Sequence, residues 1–255
     1  MSSTNVTNIK ALKQACKTCG LRDLCLPLGV ATEDLSLLEG IISRKRPLQR
    51  RDVIYQAGDP LTCLYAVRTG SVKTFVLTND GEEQVTGFHL PGELLGLDAI
   101  NDGTHPCTAL ALETASVCEI PFHLLEELAG RTPRLQHQLL RIMSREIQTD
   151  EHLMTLLGHR ASDARLAAFL LNLSRRFGMR GFSRHEFNLT MSRCEIGNYL
   201  GLAVETVSRM LSRFQDQGLI QVQRKFIIIL DVDGLREIAG VHGHESRQSE
   251  QVSGS

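Results

Sequence analysis

Five short apolar runs, separated by turn signals, fill residues 52–120, whereas residues 134–157 contain neither glycine nor proline. This change of rhythm constrains the fold more than any other feature of the chain. The runs are 53–55, 64–67, 72–77, 85–90 and 109–112, and the turns are Gly58-Asp59-Pro60, Thr69-Gly70, Asn79-Asp80-Gly81, Pro91-Gly92 and Asp102-Gly103. Many short strands with frequent turns predict a β-barrel or sandwich. Ahead of it, Leu35, Leu37, Leu38, Ile41 and Ile42 predict one short amphipathic helix over 33–42.

In the glycine-free stretch, Leu140, Met143, Ile147, Met154 and Leu157 recur at heptad spacing, with Gln136 opening the seam and Asp150 sitting inside it. A second stripe of Leu135, Leu139, Ile142 and Leu153 lies beside the first. One stripe can pack on the barrel while the other meets a second copy of the helix; the alternative is an ordinary amphipathic helix buried within one chain. In a symmetric parallel dimer the two Asp150 carboxylates would face each other, which disfavours association.

Beyond Gly158 the pattern is a helix over 161–177, a second helical signal over 192–214, and two strand-like runs, 219–223 and 226–230, joined by Arg224-Lys225. Ser192 is suited to cap a helix, and Gly201 falls where two helices need a turn of positive φ. Val204, Val207, Met210 and Leu211 form the inward face of the second helix, leaving Glu205, Ser208, Arg209 and Arg213 outward. Acceptor, hydroxyl and guanidinium groups near a helix start suit base edges in a major groove. Charge agrees: residues 160–230 carry 11 Lys+Arg against 5 Asp+Glu, inside a chain of net charge −1.

Cys16, Cys19 and Cys25 stand at C-x2-C-x5-C spacing in a loop-like segment. Three thiolates do not complete a four-thiolate site, so a fourth ligand comes from Cys63, Cys107, Cys118, Cys194 or a histidine. Zinc and a [4Fe–4S] cluster both remain open on spacing alone. No apolar run approaches the ~20 residues that span a bilayer. The polar N-terminus lacks a secretory signal, which leads us to expect a cytoplasmic protein with reduced thiols. No phosphate loop, nucleophile elbow or acid–base pair argues for an enzyme.

Four stretches together resemble the FNR (fumarate and nitrate reduction regulator) family, within the cyclic-AMP receptor protein superfamily. They are the Cys16-x2-Cys19-x5-Cys25 segment, Thr86-Gly-Phe-His-Leu-Pro-Gly-Glu, Ala111-Leu-Glu-Thr-Ala-Ser-Val-Cys-Glu-Ile-Pro-Phe, and Gly197-Asn-Tyr-Leu-Gly-Leu-Ala-Val-Glu-Thr-Val-Ser-Arg. The resemblance covers almost the whole chain, from about residue 16 to 240. It implies an α+β chain: a cysteine-rich segment (1–30), a jelly-roll β-barrel of the cyclic-nucleotide-binding type (31–130), a dimerisation helix (131–158), a winged helix-turn-helix (159–240) and a disordered tail (241–255).

It further implies an oxygen-responsive transcription regulator that binds DNA as a homodimer when it carries one oxygen-labile [4Fe–4S] cluster per subunit. The cluster ligands would be Cys16, Cys19, Cys25 and Cys118, and the base readers Glu205, Ser208 and Arg209. Arg213, Arg224 and Lys225 would add DNA contacts. The target would be double-stranded DNA with an inverted repeat of TTGAT type. Gly81 and Glu82 would meet RNA polymerase. The chain departs from cyclic-AMP-binding relatives at His105-Pro106-Cys107-Thr108, where an Arg-Ser pair would hold the cyclic phosphate; a buried phosphate without a cation is poorly solvated, so no cyclic nucleotide is expected. It also places Gln136 where relatives often have Arg.

Overall fold

The computed structural model describes residues 16, 19–28, 30–44, 46–159 and 161–240; the tail expected to be disordered lies outside them. The chain divides into two compact units, Met1–Asp150 and Glu151–Ser255.

In the first unit a turn-rich segment leads into α1 (Thr32–Ile41) and eight strands: β1 (Ser43–Arg44), β2 (Val53–Tyr55), β3 (Cys63–Thr69), β4 (Val72–Leu77), β5 (Glu83–His89), β6 (Leu94–Leu95), β7 (Thr108–Ala111) and β8 (Ser116–Pro121). Then come α2 (Phe122–Arg131) and α3 (Pro133–His159), which runs across the boundary between the units. The strands form two antiparallel four-stranded sheets, β1-β8-β3-β6 and β2-β7-β4-β5. The expected barrel is therefore an unclosed, jelly-roll-like pair of sheets: among the described residues no ladder joins an edge strand of one sheet to the other.

Gly70 makes the β3–β4 turn at φ 74°, and a Cβ there would come within 2.5 Å of the Thr114 carbonyl oxygen, so only glycine fits. Between the sheets lie Tyr55, Tyr65, Val67, Val72, Ala109 and Val117. A second core joins Leu26, Leu35, Leu38, Leu64, Ile120, Leu125 and Leu135, tying the cysteine segment, α1, α2 and the start of α3 to one side of β3 and β8. The two stripes of α3 separate as their spacing implies. Leu135 is fully buried, with Leu139 and Ile142 packed on the same core, whereas Leu140, Ile147 and Met154 are 57%, 57% and 66% exposed. α2 has no counterpart among the elements expected from the sequence; it turns Leu125 and Ala129 fully inward and packs Phe122 and Leu128 on the same core.

The second unit holds α4 (Ser162–Met179), β9 (Glu186–Asn188), α5 (Arg193–Leu200), α6 (Val204–Asp216), β10 (Ile220–Gln223), β11 (Phe226–Ile229) and α7 (Val232–Ala239), with the strands ordered β10-β11-β9. Its core gathers Leu166, Leu170, Leu173, Ile196, Leu200, Val207, Phe214, Ile227 and Leu235. Ser192 caps α5 reciprocally: its hydroxyl accepts from the Glu195 N–H (3.1 Å) while the Glu195 carboxylate accepts from the Ser192 N–H (2.7 Å). Gly201 ends α5 at φ 62°. Val204, expected to face inward, is 38% exposed, because the first turn of α6 projects beyond the core that Val207, Met210 and Leu211 enter.

A Cβ on Gly197 would come within 2.5 Å of the Leu202 carbonyl oxygen, in the turn between α5 and α6. Gly197→Ala should therefore destabilise this unit by about 1–3 kcal/mol through overpacking, despite the better helix propensity of alanine. The denaturant midpoint measures it, and an unchanged midpoint would show that the turn yields freely.

Candidate functional site

Cys16, Cys19 and Cys25 sit on consecutive turns held by backbone bonds from Cys19 N–H to the Cys16 carbonyl (3.2 Å), Arg22 N–H to the Cys19 carbonyl (3.1 Å) and Cys25 N–H to the Leu21 carbonyl (3.1 Å). Cys118 lies in mid-strand on β8, in register with Ala66 of β3 and Arg44 of β1. Cys16, Cys19, Cys25 and Cys118 all line one cavity, together with Leu26, Ile42, Ile120, Arg22 and Arg68. Of the four later cysteines, only Cys118 reaches it. Cys63 packs against the core between the sheets, Cys107 is buried within it, and Cys194 is exposed on α5 in the other unit.

Burial pushes the Cys16 thiol up to about 11 and the Cys25 thiol up to about 12, and in both the neighbouring cysteines add to the rise. Four thiolates together in an apolar pocket are costly unless a cationic centre replaces their protons. No imidazole or carboxylate lines the cavity, so the donor set is purely thiolate, the soft set that zinc and iron–sulfur clusters take. Among the described residues no three His, Cys, Asp or Glu side chains are already drawn together around a single point. As donors the four thiols fit either zinc or an iron–sulfur cluster.

This segment is bonded to α3. The Gln138 side chain, 3% exposed, donates to the Cys25 carbonyl at 3.3 Å. Periodicity could not single out Gln138, a polar residue on the buried side of the helix. Farther along α3, Asp150 is exposed between Ile147 and Met154, while Met143 and Leu157 are half-buried. Partial loss of hydration, then the Asp98 charge, raise the Asp150 carboxyl above its ordinary value.

Between the sheets, His105 stacks on Tyr55 with ring centroids 3.8 Å apart, and the Cys107 thiol donates to the Asp98 carboxylate at 3.2 Å. Burial lowers the His105 pKa. The segment 105–107 is thus committed to contacts with its own unit, and the charge nearest Cys107 is negative.

In the second unit Glu205 and Arg209 stand exposed on α6 with Ser208 half-buried between them. Arg213 is ion-paired to Asp163 on α4 at 2.9 Å. Arg224 takes φ 60° at the exposed β10–β11 tip, and the Lys225 ammonium donates to the Thr190 carbonyl at 3.1 Å. Arg193, at the start of α5, donates to the Ser208 hydroxyl at 3.3 Å, a contact that no spacing in the sequence signals. Gly81 and Glu82 are exposed on the β4–β5 turn. No helix among the described residues is long and apolar enough to cross a membrane.

Comparison with known proteins agrees with both units. Residues 45–132 match the cyclic nucleotide-binding domain family and residues 164–238 the Crp-like helix-turn-helix domain family. The chain is 53% identical over 233 residues to the transcriptional activator protein anr of Pseudomonas aeruginosa, covering 91% of this chain and 96% of that one. It is 51% identical over 227 residues to the anaerobic regulatory protein of Haemophilus influenzae (89% and 88%). To the fumarate and nitrate reduction regulatory protein of Escherichia coli K12 it is 50% identical over 225 residues (88% and 90%). Among solved structures, FixK2 from Bradyrhizobium japonicum superposes with a TM-score of 0.73 at 31% identity, covering 80% of this chain and all of that one.

Proposed function

The chain belongs to the FNR family of transcription regulators, proteins that bind DNA and are not enzymes, and from that premise we propose that it is a cytoplasmic oxygen sensor controlling genes of anaerobic metabolism, active as a homodimer that carries one [4Fe–4S] cluster per subunit. The observation that carries this reading is the convergence of Cys16, Cys19, Cys25 and Cys118 on one cavity, although the fourth is far from the others in sequence. When bound, the cluster supplies a redox-labile centre whose integrity reports oxygen. The residues of the chain do the rest. The four thiolates hold it, and Gln138 ties the cysteine segment to α3. The seam of Leu140, Met143, Ile147, Met154 and Leu157 pairs with its copy.

A cyclic nucleotide does not suit the domain that matches that family. His105 and Cys107 are already engaged, and a phosphate at Cys107 would meet the Asp98 carboxylate instead of a guanidinium.

On DNA, Glu205, Ser208 and Arg209 read base edges of a TTGAT-type half-site, Arg224 and Lys225 take phosphate contacts, and Arg213 adds a further DNA contact. The Gly81–Glu82 turn, exposed and away from the thiols in sequence, meets RNA polymerase. Arg209→Ala should weaken specific binding by roughly 1–3 kcal/mol and relax preference at one base pair per half-site. Loss of Arg224 and Lys225 should weaken all sequences alike and flatten the salt dependence. Binding across a set of half-site variants measures both, and an unaltered base preference in the Arg209 variant would remove α6 as the recognition helix.

A further inference from the structure

Two serines one turn apart on α6 use their hydroxyls differently. The Ser212 hydroxyl donates to the Ser208 carbonyl at 3.2 Å, the usual way a helical serine spends its proton. The Ser208 hydroxyl accepts from Arg193 at 3.3 Å, and among the described residues nothing accepts its proton. A guanidinium only donates, so the bond occupies a lone pair of the hydroxyl and leaves the O–H free to point elsewhere.

We propose that Arg193 is a positioning residue for sequence readout: it fixes Ser208 as a hydrogen-bond donor. A free serine hydroxyl adapts to donor or acceptor and discriminates little. With one lone pair filled by a cation and the helix backbone on its other side, Ser208 presents a proton to the groove. It then favours a base that offers an acceptor, such as a purine N7, guanine O6 or thymine O4, over the amino groups of cytosine and adenine. Arg193 suits this role because it comes from the neighbouring helix: it is the first residue of α5, directly after the Ser192 cap, so the capping box fixes where its side chain departs. Its long stem carries the charged end across to α6, where it meets the Ser208 hydroxyl.

The inference rests on the proposed use of α6 as the reading helix, and the experiment separates the two. The full-length protein, reconstituted anaerobically, is titrated with duplexes carrying every base-pair replacement in one half-site, for the parent and for Ser208→Ala, Arg193→Ala, Arg193→Lys and the double Ala variant. Arg193 is exposed and Ser208 half-buried, so the variants should keep the fold, and thermal melts check that they do. Ser208→Ala and Arg193→Ala should each lose roughly tenfold discrimination at the same base pair, in favour of an acceptor, and the double variant should lose no more than either. Arg193→Lys, which keeps one donor, should retain part of it. If Arg193→Ala instead weakens every duplex equally and lowers the salt slope, Arg193 is a phosphate contact only and the proposal falls. Loss of preference at different base pairs in the two single variants also overturns it. A parent protein with no preference among the duplexes would instead defeat the assignment of α6 as the reading helix.

Discussion

Cys118→Ser should leave the anaerobically purified protein without iron or inorganic sulfide, and serine at Cys16, Cys19 or Cys25 should do the same, while Cys63→Ser, Cys107→Ser and Cys194→Ser keep both. This is the largest effect expected, because a cluster held by four thiolates is lost when one is replaced by a weaker, harder oxygen ligand. The two groups of cysteines differ physically. Cys118 is held on both sides, by the ladders to β1 and β3, and so gives a rigid wall to which the turn segment can bring its three thiols. Cys107 is already hydrogen-bonded to Asp98 at 3.2 Å inside the other core, where burial pushes its thiol up to about 12. Cys194 is exposed in the other unit. Iron and sulfide analysis of the seven variants tests the assignment. Full iron in Cys118→Ser together with loss in Cys107→Ser would sink it.

Asp150→Ala should make the air-exposed, cluster-free protein dimerise and bind DNA, whereas Ile147→Ala should impair dimerisation even with the cluster present. The seam of α3 leaves three large apolar side chains in water, Leu140, Ile147 and Met154, and such a stripe gains by pairing. Asp150 sits in the middle of it, and its carboxyl is already raised by partial burial and by Asp98 within one chain. Bringing a second Asp150 opposite adds like-charge repulsion on a surface being dehydrated. The balance needs to move by only a few kcal/mol, on the order of a hundredfold or more in the dimer constant, for a switch. Gln138 offers the physical link: the side chain that bonds the cysteine segment belongs to the same helix as the seam. Ordering the cysteine segment therefore bears on how α3 is seated, and removing the Asp150 charge should make that help unnecessary. Sedimentation of aerobic Asp150→Ala decides the point. If it runs as a monomer like the parent, the charge account fails.

Local chemistry was legible in the sequence because it acts over a few residues. The capping box at Ser192 and Glu195, the left-handed Gly201, the strand runs of the first unit and the two stripes of α3 were all written in period and residue type, and the structure has each of them. The spacing of Cys16, Cys19 and Cys25 likewise marked a thiolate site while leaving the fourth ligand open among several residues. The family resemblance named Cys118, but spacing did not; the physical ground on which Cys118, and not Cys63, Cys107 or Cys194, lines the cavity is tertiary, since it depends on which strand pairs with which. Tertiary structure also left the sheets unclosed, tied Arg213 to Asp163, turned Val204 outward, buried Gln138 against the Cys25 carbonyl and brought Arg193 to Ser208. Each of these is a contact through space between side chains or backbone groups that a one-dimensional period cannot relate, because periodicity records which face a residue occupies and not what lies opposite it.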